Sequence, residues 1–255
     1  MTTSESVWID GTDLRDAGAG PFYALLRRIG DVARTADRRT IAASFALRFG
    51  WSSAIAIAPY LQSRWVPDIA LDNVSFAFGR STAFERAALR AVRGVMVAGD
   101  PRAADASMST VPDADALRRA LRDALVAQAA PVVAALDRWS GFAPRGTWGQ
   151  LTSAWATQFM STAEPRDDQR GIGAELDAFF AGDDIVAAMR PRMHAVSVDG
   201  ATRLYQRRAS CCRMYLLPGG SLCTSCPLVG DEERQKLFLA TFACPPGTSI
   251  SAADP

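Results

Sequence analysis

The sequence predicts an α+β fold: a predominantly helical body with an antiparallel sheet, followed by a β-rich C-terminal segment that carries clustered cysteines. Three observations lead there. Apolar residues recur at helical spacing through most of the first 193 residues. Two stretches, one near residue 70 and one after residue 194, switch to β-branched and aromatic alternation. Four of the five cysteines fall between Cys211 and Cys226. With 255 residues and 49% apolar content, the chain can bury its own core without disulfide staples.

Residues 21–36 and 40–63 have the apolar spacing of helices. Pro67 then precedes the run Asp68–Phe78, whose Val74, Phe76 and Phe78 predict one strand or two. Phe84 to Val97 reads as a helix with Glu85 in its first turn. From Gly99 to Pro112 the run is small, polar and interrupted by prolines, which reads as a mobile loop. Asp113 opens a long helix to about Trp139, and a second follows the turn-like Gly141–Gly146, from about Thr147 to Thr162. Two shorter helices are expected between Gly173 and Met193. Val196–Val198 and Thr202–Tyr205 flank Asp199-Gly200, the pattern of a β-hairpin. Cys212–Leu217 is a further extended candidate, closed by Pro218-Gly219-Gly220, and a short helix is expected from about Asp231 to Ala240. The division is therefore a mainly helical body over 1–193, a β-rich segment over 194–245, and a tail over 246–255 that reads as disordered.

Composition removes several functions. A net charge of +1 provides no basic footprint for nucleic acid. The N-terminus lacks the basic start, apolar stretch and cleavage site of a secretory signal. Ile41 to Leu61 is apolar, but Arg48 and Pro59 interrupt it, so it reads as a buried or amphipathic helix and no integral membrane segment is expected. A cytoplasmic location follows as the expectation, and there thiols stay reduced. Gly18-Ala19-Gly20 and Gly171-Ile172-Gly173 lack the third glycine of a dinucleotide fingerprint, and no P-loop occurs. His194 is the single histidine, which leaves no metal dyad and no choice for a hydrolytic triad; it reads as a structural or surface residue at a strand start.

The chemistry sits in Cys211, Cys212, Cys223 and Cys226, spaced C-C-x10-C-x2-C. Crowding of this kind signals a shared metal or a disulfide framework. The Pro218-Gly219-Gly220 turn can fold the second pair back onto the first. Side chains of neighbouring strand residues point to opposite faces, so Cys211 and Cys212 converge only if the backbone bends there. Structural zinc usually avoids that difficulty with a gap between its ligands. A dinuclear cluster is wider and takes ligands from more divergent directions. The residues alone leave four readings open: an iron–sulfur cluster, a four-thiolate zinc site, a dithiol at Cys223 and Cys226, or buried structural thiols. Cys244 reads as a core thiol.

The segment Arg207–Leu228, with its adjacent cysteines, ten intervening residues, Cys223-Thr224-Ser225-Cys226 and then Pro227, resembles the C-terminus of the FhuF-like ferric-siderophore reductases. The specific likeness covers about twenty residues, and Val66–Val74 is loosely similar to the body that family shares with siderophore synthetases. The resemblance implies that the four cysteines bind a [2Fe–2S] cluster, making residues 194–245 an iron–sulfur-binding segment. It implies electron transfer to Fe(III) in a siderophore, with release of Fe(II). The partners would be the ferric siderophore and an unidentified electron-donor protein, since no NAD or flavin site is evident. Arg203, Arg207, Arg208 and Arg213 are then candidates to offset cluster charge or attract an anionic ferric complex; Arg192 is a weaker one, and Tyr215 and Trp148 are candidates to stack on a ligand. The rival readings are a zinc-stabilised binding domain without turnover and an iron–sulfur sensor of iron or oxidants.

Overall fold

The computed structural model describes residues 6–162, 169–198 and 201–242. The chain opens with β1 (Val7–Asp10), a 3-10 turn, and helices α1 (Gly20–Ala33), α2 (Arg38–Trp51) and α3 (Ala54–Ser63). Five short strands follow: β2 (Trp65–Pro67), β3 (Val74–Phe78), β4 (Phe84–Leu89), β5 (Gly94–Val97) and β6 (Met108–Val111). Helices α4 (Ala114–Ser140), α5 (Pro144–Thr162), α6 (Arg170–Phe179) and α7 (Ile185–Ala188) lead to the hairpin β7 (Arg192–Val198) and β8 (Ala201–Arg207), and the described chain ends in α8 (Asp231–Phe242). The predicted α+β class is what the structure has.

The strands form three small sheets. One is antiparallel in the order β1-β3-β4; the second has β5 antiparallel to β2 and parallel to β6; the third is the β7-β8 hairpin. Helix α2 is the central element. Nine of its residues are buried, and it packs most extensively on α5. Its Gly50 permits that contact, since a Cβ there would lie 2.6 Å from the Ala154 Cβ. Phe45 and Phe49 of α2 join Phe22 on one side (4.6 Å between the Phe22 and Phe45 centroids) and Phe76 and Phe78 of β3 on the other. A second aromatic group, Trp148, Trp155, Phe159 and Phe179, ties α5 to α6. Each such side chain, fully buried, stabilises the fold by about 1.5–3 kcal/mol.

Several expectations are corrected. Phe84–Val97 is two strands, not a helix: Phe84, Ala87 and Leu89 pack on the core while β3 offers β4 a backbone ladder and β2 offers one to β5. Helix propensity, worth tenths of a kcal/mol per residue, loses to that pairing. Gly99–Pro112 is ordered rather than a loose loop, because Asp100 and Asp105 accept backbone N–H groups from Arg102 and Ser107 (2.9 and 2.8 Å) and Met108–Val111 joins the second sheet. Residues 40–63 are two helices, split where the Ser52 and Ser53 hydroxyls bond back to the Phe49 and Gly50 carbonyls at 2.6 and 2.7 Å. Only Val74–Phe78 of the Asp68–Phe78 run is a strand. Cys212–Leu217 is not extended; a 3-10 turn occupies Met214–Leu216. Arg38–Ser63 is long and apolar enough to cross a membrane, yet 67% of its most apolar window is buried inside the protein. The Asp199-Gly200 turn, Cys244 and the tail lie outside the described residues.

Candidate functional site

After β8 the chain runs across α5, held there by a stripe on one face of that helix. Gly146, Gln150, Ser153 and Thr157 recur at three- and four-residue spacing. The Gln150 amide donates to the Ser210 carbonyl and hydroxyl at 2.9 and 2.6 Å, and the Ser210 hydroxyl donates to the Gly146 carbonyl at 2.7 Å. The Ala209 N–H donates to the Ser153 hydroxyl at 3.3 Å. The Gln206 amide reaches the Ser153 carbonyl and Thr157 hydroxyl at 2.9 and 2.7 Å. Gly149 lets the two chains approach: a Cβ there would sit 2.7 Å from the Ser210 side chain.

The bend needed by the vicinal cysteines comes immediately after them. Arg213 has φ +62°, an uncommon conformation for a residue with a Cβ. Its side chain is pinned to the start of α2, with Nη2 2.9 Å from Asp37 Oδ2 and Nε donating to Thr40 Oγ1 at 3.1 Å. Hydrogen bonds from Thr40 and then Arg213 hold the Asp37 carboxyl below its ordinary range despite partial burial. The return is made by Gly219, at φ +71°, and by Gly220, where a Cβ would lie 2.2 Å from the Met214 carbonyl.

The second pair sits on a tight turn, with the Cys226 N–H donating to the Cys223 carbonyl at 2.8 Å. Three contacts fasten that turn. The Arg208 N–H donates to the Ser225 carbonyl at 2.9 Å, Arg207 Nη2 to the Pro227 carbonyl at 2.8 Å, and fully buried Arg234 of α8 to the carbonyls of Cys226 (2.9 Å) and Val229. Burial lowers the Arg234 pKa. Asp231, at the start of α8, gathers Arg192, Arg207 and Arg234 within 3.4–3.7 Å.

All four sulfurs are free thiols that meet two and two. Cys212 and Cys223 interact thiol to thiol, as do Cys211 and Cys226, and Cys223 is also close enough to Cys226 for their charges to interact. Cys212 and Cys226 are buried, Cys211 and Cys223 half-buried. Among the described residues, no three Cys, His, Asp or Glu side chains are gathered tightly enough to hold a metal ion as they stand. Backbone N–H groups aim at the sulfurs: Arg213 donates to Cys211 at 3.3 Å, Met214 to Cys212 and Leu228 to Cys226. The Cys223 thiol is pulled down to about 5, first by the hydrogen bond from Cys212 and further by the Arg208 charge, while burial opposes both. The same hydrogen bond, then burial, pushes Cys212 up, and burial pushes Cys226 up.

The arginines separate by role. Arg207 and Arg213 are engaged in holding the loop, Arg203 stays on β8 in register with Val196, and Arg192 faces Asp231. Arg208 acts on Cys212 and Cys223 by charge, and its Nη1 is buried without a partner. His194 stacks on Tyr205 (4.9 Å) in the hairpin, Trp148 is buried in the core, and Tyr215 is exposed. Sequence reasoning missed the α5 stripe and Arg234. The stripe had a visible signal, polar residues at helical spacing in an otherwise apolar helix; Arg234, inside a charged run, had none.

Residues 208–228 match the family model of the FhuF 2Fe-2S C-terminal domain. A comparison with curated proteins finds no match to the chain. The matched segment contains all four paired thiols, and the cofactor this domain indicates is a [2Fe–2S] cluster.

Proposed function

We propose that Cys211, Cys212, Cys223 and Cys226 are the ligands of that cluster and that the protein is a cytoplasmic ferric-siderophore reductase. The observation that carries the reading is the two-and-two meeting of thiols inside the matched segment. Four cysteines are the ligand set of a [2Fe–2S] centre, and two irons take them in pairs. The orphaned Nη1 of Arg208, whose charge acts on Cys212 and Cys223, fits a negatively charged group at the thiols. The chemistry such a cluster supplies when bound is a one-electron couple.

The chain's own residues do the rest. Burial of Cys212 and Cys226 keeps water from half of the donor set. Backbone N–H groups and Arg208 stabilise negative charge on the sulfurs, which favours the more reduced form of whatever they ligate. Arg207, Arg213 and Arg234 fix the loop so that the donors are preorganised. The substrate is Fe(III) bound by siderophore oxygens; gaining one electron converts it to Fe(II), whose weaker bonds to those oxygens release the metal. In this reading residues 1–193 carry the substrate side and 194–245 the cluster, and a separate protein supplies electrons.

Protein purified without oxygen should contain two irons and two acid-labile sulfides per chain. After reduction with dithionite and removal of the excess, titration with ferric siderophores should reoxidise it while an Fe(II) chelator reports one Fe(II) per electron. Colourless protein with one zinc per chain would overturn the cluster, and iron-loaded protein inert to every ferric siderophore would overturn the reductase.

A further inference from the structure

The loop between the two cysteine pairs is apolar and turned to solvent. Tyr215, Leu216 and Leu222 are exposed, Leu216 to 51%, and every residue from Pro218 to Leu222 is exposed. No charged residue occurs from Met214 to Gly230. Cys211 and Cys223, the less buried thiols, stand at either end of this stretch. An exposed apolar patch with a polar rim marks an interaction site.

The fold sets that loop against a basic corner. Arg213 is tied to Asp37 and Thr40, and one turn further along α2 the Ser44 hydroxyl donates to Met214 Sδ at 3.8 Å. The 3-10 turn that carries Tyr215 and Leu216 therefore lies along the first turns of α2, beside exposed Arg34, Arg38 and Arg39. Among the described residues none of these three arginines forms an ion pair with a carboxylate. Arg38 lies over the Trp139 ring at 5.4 Å and donates to the Trp139 carbonyl at 3.3 Å, neither of which cancels its charge. Residues 27–39 hold five arginines and two aspartates, and the Asp37 carboxylate is already engaged by Arg213. Arg38 and Arg39 also occupy the first turn of α2, the positive end of the helix, where cations are unfavourable. An acidic partner would relieve that repulsion.

We propose that this corner is the docking face for the electron donor, and that the donor is a small acidic one-electron carrier protein. The inference rests on the reductase reading and adds the chemistry of its partner. That reading needs a separate protein to bring electrons to the thiols, and the apolar loop runs directly into Cys223. In the encounter the carrier gives up one electron and the centre held by the four thiols takes it; no bond forms or breaks. Arg34, Arg38 and Arg39 steer the acidic face and raise the association rate, while Tyr215, Leu216 and Leu222 supply the contact. An apolar centre with a charged rim is the ordinary anatomy of an interface, and redox encounters need less than about 1,200 Å² of it.

The test uses the full-length, anaerobically purified protein and, as the acidic probe, a plant-type [2Fe–2S] ferredoxin. Affinity is read by titrating the oxidised protein into isotope-labelled oxidised ferredoxin, and the electron-transfer rate by stopped-flow mixing with reduced ferredoxin. Arg34→Glu and Arg39→Glu should each weaken binding about fivefold or more at low salt and slow the transfer to match. Raising the salt from about 0.01 M to about 0.15 M, which shortens the screening length from about 30 Å to about 8 Å, should weaken the parent and erase most of that difference. Leu216→Ser, which leaves the charge alone, should weaken binding about threefold or more at both salt concentrations. Reduction by methyl viologen radical, a small cation, should not be slowed in any variant. Arg39→Glu suits a helix N-terminus, so a loss of binding there is not unfolding. Ferredoxin that does not bind the parent, or binds with an affinity indifferent to salt and to both charge reversals, overturns the proposal. So does an arginine-dependent attachment to phosphatidylglycerol vesicles with ferredoxin binding unaffected, which would assign the corner to a membrane surface. Arginine-dependent ferredoxin binding without onward transfer to any ferric siderophore keeps the docking face and sinks the reductase; viologen-reduced protein that reduces ferric siderophores while ferredoxin ignores the substitutions sinks the docking face alone.

Discussion

Arg234 is a buried cation whose hydrogen bonds end on carbonyls of the C-x-x-C turn. Removing it leaves those oxygens facing a cavity, at a cost of about 1–3 kcal/mol for a buried acceptor left unmade. Arg234→Met should therefore weaken the turn by about 2–4 kcal/mol, read as faster amide exchange over 223–229 and lower iron content. Arg208 is argued through charge instead. A cation favours the more negative, reduced state, so Arg208→Gln should move the midpoint potential of the iron-loaded protein negative. A lost interaction of about 1 kcal/mol corresponds to roughly 40 mV for one electron, measurable by redox titration with optical detection. An unchanged potential would mean that Arg208 serves only the backbone tie to Ser225. The cysteines were legible in the sequence because their spacing is local, whereas Arg234 stands in Asp231-Glu232-Glu233-Arg234-Gln235-Lys236 and reads as solvated surface. Only the tertiary fold buries it.

Among the elements, α5 decides where the cysteine segment lies. Its inward stripe is polar where it meets residues 206–210, and the amide and hydroxyl donors named there all find acceptors, as buried donors must. Gly149→Val would push two methyl groups into Ser210 and the Met189 side chain, both within 2.9 Å of a Cβ at that position. We expect the 206–228 segment to detach, with a loss of about 1–3 kcal/mol from overpacking, seen as exchange protection lost there but retained in α2 and α4. Helices marked by long apolar periods, α1, α4 and α5, were readable to within a few residues. Strands β4, β5 and β6 were not, because each takes its conformation from a partner strand: β4 from β3, β5 from β2, and β6 from β5. Local composition there, alanine and arginine with small polar residues, says helix or loop until a partner strand is present.

Among the described residues, the core runs from Ile9 to Met189 and meets the C-terminal segment through partly buried Leu204 and Ala209. Its helices are also tied by charge: Tyr60 of α3 and Arg118 of α4 both bond Glu175 of α6, at 2.6 and 2.7 Å. Burial works against the Glu175 carboxylate, but the Arg118 and Tyr60 hydrogen bonds overcome it and hold its pKa below the ordinary value of 4.5. A carboxylate lowered in the folded state contributes stability above its unfolded pKa and loses it as pH falls through the folded one. Thermal midpoints of the parent and Glu175→Gln should therefore differ most at neutral pH and converge below about pH 4.5; a constant gap would assign the effect to packing. The same architecture separates cofactor from fold. Cys223→Ser removes a donor from the Cys212 pair, and serine is a poor substitute for a thiolate toward iron. Yet among the described residues no cysteine belongs to the core cluster that unites α1 to α7. The variant should lose the visible absorbance and iron of the parent while keeping its helical circular dichroism and a cooperative melt. Collapse of the body together with the absorbance would instead make the cysteine loop part of the folding nucleus, and the division between a self-sufficient core and a docked redox segment would fall.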